Sequence, residues 1–144
     1  MSFKDFEIIK EPVMFRGVAV AHVRGLALND ITVLVRGHLV EIDKLIAMFD
    51  NDATRETAMT EAARYAIKIL QDAPDLAAKM IALASDEPDQ ADKIAKLPLP
   101  MQVESVRKII NLTFEEFGGA KKFIDSMLDL MGGFMPMMPE AVTV

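Results

Sequence analysis

Two histidines, an acidic cluster and two glycine pairs are where residue type and spacing in this chain invite chemistry. His22 sits in an alternating apolar stretch and His38 falls within or beside a helical stripe. Together they would offer two imidazoles for a metal or for proton transfer. Apart, each is a half-buried side chain with one hydrogen bond. Asp86, Glu87, Asp89 and Asp92 gather carboxylates of the kind that bind a cation. A calcium loop alternates its ligands around a glycine at its sharp turn. Here Pro88 interrupts and no glycine is present, so acids near a helix N-terminus are the ordinary reading. Gly118-Gly119 follows a helical turn rather than a strand, which is not a dinucleotide-binding arrangement. Lys121 and Lys122 read as solvated cations on a short helix. No Ser/His/Asp arrangement, phosphate loop or His/Glu metal spacing occurs, and the absence of cysteine excludes thiolate sites, disulfides and cysteine nucleophiles. The expectation is a protein that is not an enzyme, with no catalytic residues, no metal and no cofactor.

The elements around these residues are those of a globular protein. At 144 residues the chain suits one domain and can bury a proper core. Hydrophobic residues make up 51% and charged residues 26%, which separates it from disordered chains. A net charge of −6 with scattered Lys and Arg argues against nucleic acid, whose phosphates need clustered cations. No apolar run reaches the roughly 20 residues that span a bilayer, and Met1-Ser2-Phe3-Lys4-Asp5 lacks the apolar region of a signal peptide. A soluble intracellular protein is expected, with no membrane partner.

Phe6 to Val13 and Val18 to Val23 read as two strands joined at Arg16-Gly17. Pro12 belongs at an end or open edge of its strand, because it has no N–H to donate. Such a hairpin needs helices, or a neighbouring subunit's strands, to pack on. A long helix is expected over 28–49, with Asn29 as N-cap and Ile31, Leu34, Val35, Ile42, Leu45, Ile46 and Phe49 on its core stripe. Further helices are expected over 54–72, over 74–85 (buried on most of its circumference), as a short piece to Lys96, and over 100–111. Thr113 and Glu116 have capping-box spacing, flanked by Leu112 and Phe117 as a hydrophobic staple. A last helix runs to about Met131 and is stopped by Gly132-Gly133. The fold class is α+β, mainly α: a β-hairpin at 6–23 packed on five to six helices at 28–131. Residues 1–133 form the domain and 134–144 a flexible tail.

Two apolar surfaces exceed what such a core needs. Val33, Val40 and Ala47 are spaced by sevens on the far side of the long helix and are candidate self-association residues, as is the hairpin edge. Met127, Met131, Phe134, Met135, Met137 and Met138 cluster at the C-terminal end. Methionine repacks against varied partners, so these are candidate partner-binding residues. An alanine- and methionine-rich helical core accounts for part of the same composition.

Several segments, taken in order, resemble a known family. They are Val23-Arg24-Gly25-Leu26 with Leu28-Asn29-Asp30-Ile31, Ile81-Ala82-Leu83-Ala84 with Asp86-Glu87-Pro88, Leu97-Pro98-Leu99-Pro100-Met101-Gln102, Leu112-Thr113-Phe114-Glu115-Glu116 and Lys121-Lys122-Phe123. The chain resembles the tail assembly chaperones of long-tailed bacteriophages, encoded just ahead of the tape measure protein. The resemblance implies a non-enzymatic, mostly helical protein that binds the tape measure protein during tail assembly in the host cytoplasm and is absent from the mature virion. It also implies a homo-oligomer, and a longer frameshifted form that recruits the tail tube protein. It assigns no site residues. Gly132-Gly133-Phe134 permits a slippery heptamer, and Lys121-Lys122 is a second place for one. A small helical regulator or toxin-system partner would equally lack catalytic motifs. A long tape measure reading frame in the next gene, in a phage or prophage, separates the two.

Overall fold

Strands β1 (Glu11–Phe15) and β2 (Val18–Val23) pair antiparallel through the two-residue turn Arg16-Gly17. Both turn residues have positive φ, 54° and 78°, which matches the turn to the twist of the strands. The register runs from Glu11↔Val23 to Phe15↔Val18, with a bulge at Val20 that breaks strict alternation. β1 begins at Glu11, not at Phe6 as expected. β2 ends opposite Glu11, so residues 6–10 have no strand to pair with among the described residues, and they follow a short 3-10 turn at Phe3–Asp5 without regular structure.

The computed structural model describes residues 2–52 and 62–134, with side chains over 2–48 and 62–132. Within them the expected α+β, mainly α architecture holds: the hairpin is followed by seven α-helices. The helix expected over 28–49 is two helices, α1 (Leu28–Gly37) and α2 (Leu39–Asp52). His38 breaks the run at φ −140°, ψ 42°, next to Gly37, a poor helix former. The bend lets Ile31, Leu34 and Val35 of α1 and Ile42 and Ile46 of α2 all reach the core. Ala27, not Asn29, is the N-cap, and the carboxylate of Asp30 accepts from the Ala27 N–H at 2.8 Å.

Helix α3 (Ala62–Asp72) buries Ala62, Tyr65, Ala66 and Ile69, as its spacing predicts; the rest of the expected 54–72 helix lies outside the described residues. Helix α4 (Pro74–Ala84) starts on a proline, which suits the first turn, and is buried nearly all round. It packs on α1, α3, the short α5 (Ala91–Ile94) and α6 (Leu99–Phe117). Helix α6 is the longest of those described and touches α3, α4, β1 and α7 (Ala120–Phe134).

The capping box expected at Thr113 does not form, because α6 runs straight through it. The Thr113 hydroxyl donates to the Ile109 carbonyl one turn back, inside the helix. The spacing of Leu99, Val103, Val106 and Ile110 predicts one buried stripe, but Leu99 is exposed in the first turn of α6. Gly118 ends α6 in the left-handed region at φ 86°, and Gly119 donates to the Phe114 carbonyl at 2.8 Å. Helix α7 (Ala120–Phe134) then folds back, with Phe123 against Phe114 and Phe117 at ring distances of 5.3 and 5.2 Å. It continues through Gly132-Gly133 to Phe134, past the expected stop. Glycine in a last turn costs only about 1 kcal/mol, which apolar packing of Met127 and Met131 offsets.

Candidate functional site

The candidate catalytic groups stay apart from any built centre. His22 is exposed on β2 and His38 is half-buried where α1 meets α2. Among the described residues, no group of three His, Asp or Glu side chains is placed to hold a metal ion. A core cavity of about 60 Å³ is lined by apolar side chains such as Leu34, Ile46, Ile69 and Met127. Its one polar wall residue, Thr113, is already engaged, so the cavity offers no chemistry.

The acidic cluster has a different use. Asp86 follows α4 in the left-handed region at φ 60°, with its N–H bonded to Leu83 and that of Glu87 bonded to Ala82. Glycine is usual at such a position. Asp86 occupies it because its carboxylate is held twice, by Arg24 at 2.9 Å and by Lys10 at 2.9 Å. These two cations, Arg24 first, hold its carboxyl down at about 2. Arg24 in turn donates to Asp30 at 2.5 Å and to the carbonyls of Gly25 and Leu83 at 3.0 Å, while its backbone N–H reaches Ala84. The Asp30 hydrogen bond is the largest cause holding the guanidinium above its ordinary range, against burial. Two residues on, the buried Leu26 N–H donates to Thr113.

One node thus ties the hairpin exit, the start of α1, the end of α4 and the C-terminal part of α6. Four of the segments that carry the family resemblance meet there: those containing Arg24, Asp30, Asp86 and Thr113. The sequence reading missed this node. The signal available was an arginine and several acids flanking element ends, but nothing in the spacing says which of them meet.

The surface candidates divide. Val33 and Val40 are exposed at 46% and 56%, and Ala47 is exposed too. The break at His38 puts Val33 on α1 and the other two on α2, so they do not form one straight strip. Met127 and Met131 are core residues at 4% and 3% exposure. Phe134 closes α7; Met135, Met137 and Met138, with the rest of the expected tail, lie outside the described residues. Large exposed apolar residues gather instead at the N-terminal end, where Phe3, Phe6, Ile8, Ile9, Met14, Val18 and Val20 are all open. The sequence reading placed Phe6, Ile8 and Ile9 in a paired strand and so did not count them as surface.

Among the described residues, no helix is long and apolar enough to cross a membrane. No curated protein and no solved structure matches the chain. A family model does: that of the pre-tape measure proteins, over residues 1–143, so the chain belongs to this family, which is associated with phage tail assembly upstream of the tape measure.

Proposed function

We propose that this protein is a non-enzymatic tail assembly chaperone that binds the tape measure protein, keeps it soluble and helps to recruit tail tube subunits. The observation that carries the reading is the family match along nearly the whole chain. Apolar surface left open on α1, α2 and the N-terminal end supports it, since a chaperone must meet apolar segments of its client. A tape measure protein is long and waits unassembled while the tube grows around it. Its exposed apolar stripes aggregate unless covered, and amphipathic helices dock on apolar surface of this kind. The acidic balance of −6 favours encounter with basic stretches of such a client.

On this reading the protein acts in the host cytoplasm as a homo-oligomer and leaves before the virion is complete. Val33, Val40 and Ala47 are one contact between copies, tested by light scattering on Val40→Lys. Met127 and Met131 serve the client site from within, by shaping the C-terminal end of α7, and Phe134, Met135, Met137 and Met138 continue that site. Recruitment of tail tube protein falls to an extension made by frameshifting at Gly132-Gly133-Phe134. A gene without a slippery run and without an overlapping frame removes the extension. Affinity capture with the neighbouring tape measure protein tests the main claim: a stable complex supports it, and its absence from both lysate and mixed purified proteins overturns it.

A further inference from the structure

The N-terminal arm is strand sequence without a strand partner. Phe6-Glu7-Ile8-Ile9-Lys10 is rich in residues that favour sheets, yet it lies beside the linker at Arg24 and Ala27 with no strand paired to it among the described residues. Phe3, Phe6, Ile8 and Ile9 are 98%, 69%, 61% and 70% exposed. Lys10, paired with Asp86, pins the base of the arm, and Phe6, Ile8 and Ile9 before it line an open cleft with Arg24, Ala27 and Asn29 while keeping most of their own surface exposed.

The same fold carries a strand edge without a neighbour. β1 is protected on its open side, because Pro12 has no N–H and its carbonyl accepts from Lys108 at 2.7 Å. β2 has no such device. Its sequence, Val18-Ala19-Val20-Ala21-His22-Val23, contains no proline, lysine or acid, and among the described residues β1 is its one partner. Beside β2 lies a groove of about 300 Å³ whose walls include Val13, Val20, Ala21, Ile81, Ile94 and Met101.

We propose that the arm of one copy adds as a third strand to the free edge of β2 in a second copy, with alternate side chains, Phe6 and Ile8, entering the groove. Main-chain bonds along an edge and pockets for alternate residues are the two parts of such strand addition. The arm presents on the order of 600 Å² of apolar surface, most of the ~800 Å² that each partner gives to a standard interface.

The arm cannot serve its own β2. A third strand would lie about 10 Å from β1, across β2, while one residue spans at most about 3.6 Å. Bridging would consume about three residues, Ile8 to Lys10, and break the Lys10–Asp86 pair. Arm and groove are different patches, so the contact is heterologous and propagates from copy to copy unless it closes.

The test needs no tape measure protein, so its failure is separate from failure of the chaperone reading. Wild type, a chain lacking residues 2–9 and a Phe6→Asp/Ile8→Asp chain are compared by light scattering at rising concentration, with circular dichroism confirming the fold. Wild type is expected to grow beyond its 15.9 kDa monomer as concentration rises, and both variants to stay smaller than wild type at every concentration. A labelled peptide of residues 2–10 is expected to bind the shortened chain. Methylating the Ile8 amide removes one or two strand hydrogen bonds, and Val20→Lys in the acceptor puts a charge in the apolar wall of the groove, so each should weaken that binding by about tenfold. A wild type that stays monomeric, folded variants that associate as wild type does, a peptide that does not bind, or binding indifferent to Val20→Lys each overturns the proposal.

Discussion

The backbone N–H of Leu26 donates to the hydroxyl of Thr113 at 3.0 Å, joining the hairpin exit to the C-terminal part of α6 across 87 positions of sequence. Thr113 is 3% exposed, so no water replaces it freely. Thr113→Val keeps the volume and leaves a buried donor unpaired, which costs about 1–3 kcal/mol. Thr113→Ser should recover most of that loss. Urea unfolding of the three proteins checks it, and equal midpoints for Val and Ser contradict it.

Arg24 and Asp30 form the buried half of the node, with side chains 12% and 9% exposed. Asp30→Ala leaves the guanidinium without its main partner and the Ala27 N–H without its cap. Breaking a buried pair from one side costs about 3–5 kcal/mol, so thermal unfolding should begin far earlier than in wild type. Asp30→Asn, which keeps the shape, should fall between the two.

Asp86 gives the node an acid dependence. Folding holds its carboxyl at about 2 against an ordinary 3.8. Its contribution is therefore complete above the ordinary value and is lost as pH falls through the folded one. Asp86→Asn keeps a residue that tolerates the left-handed backbone. Stability measured at several pH values from neutral to acid should fall less steeply for Asp86→Asn than for wild type in that window. Parallel curves contradict the assignment.

Met127 distinguishes core from contact surface. With 4% exposure among α2, α3 and α6 residues around the core cavity, Met127→Ala should destabilise the fold by about 2–5 kcal/mol. Calorimetry on the isolated protein reads this directly. A stability within about 0.5 kcal/mol of wild type would mean that the side chain is not packed.

Periodicity made much of this fold legible. The stripes of α1, α3 and α4 and the Arg16-Gly17 turn follow from local spacing, and the α+β class follows from them. What local spacing does not carry is tertiary override. Thr113 looks like a helix start, yet its hydroxyl is satisfied by Ile109 and Leu26, so α6 continues. Gly37 and His38 sit inside an unbroken apolar pattern, and the bend is selected by packing of both halves on one core. Phe6 to Lys10 has the composition of a strand, but strand formation requires a partner, and the described residues do not supply one. The Arg24 node depends on residues 62 positions apart, which no window along the chain contains.

The central claim concerns a client, and the soluble fraction of that client is the most direct reading of it. The tape measure protein encoded beside this chain is expressed with it and without it, at matched levels. The account predicts that the tape measure protein aggregates alone, becomes soluble with this chain present and co-purifies with it. Equal solubility in both cases, with no co-purifying complex, would contradict it.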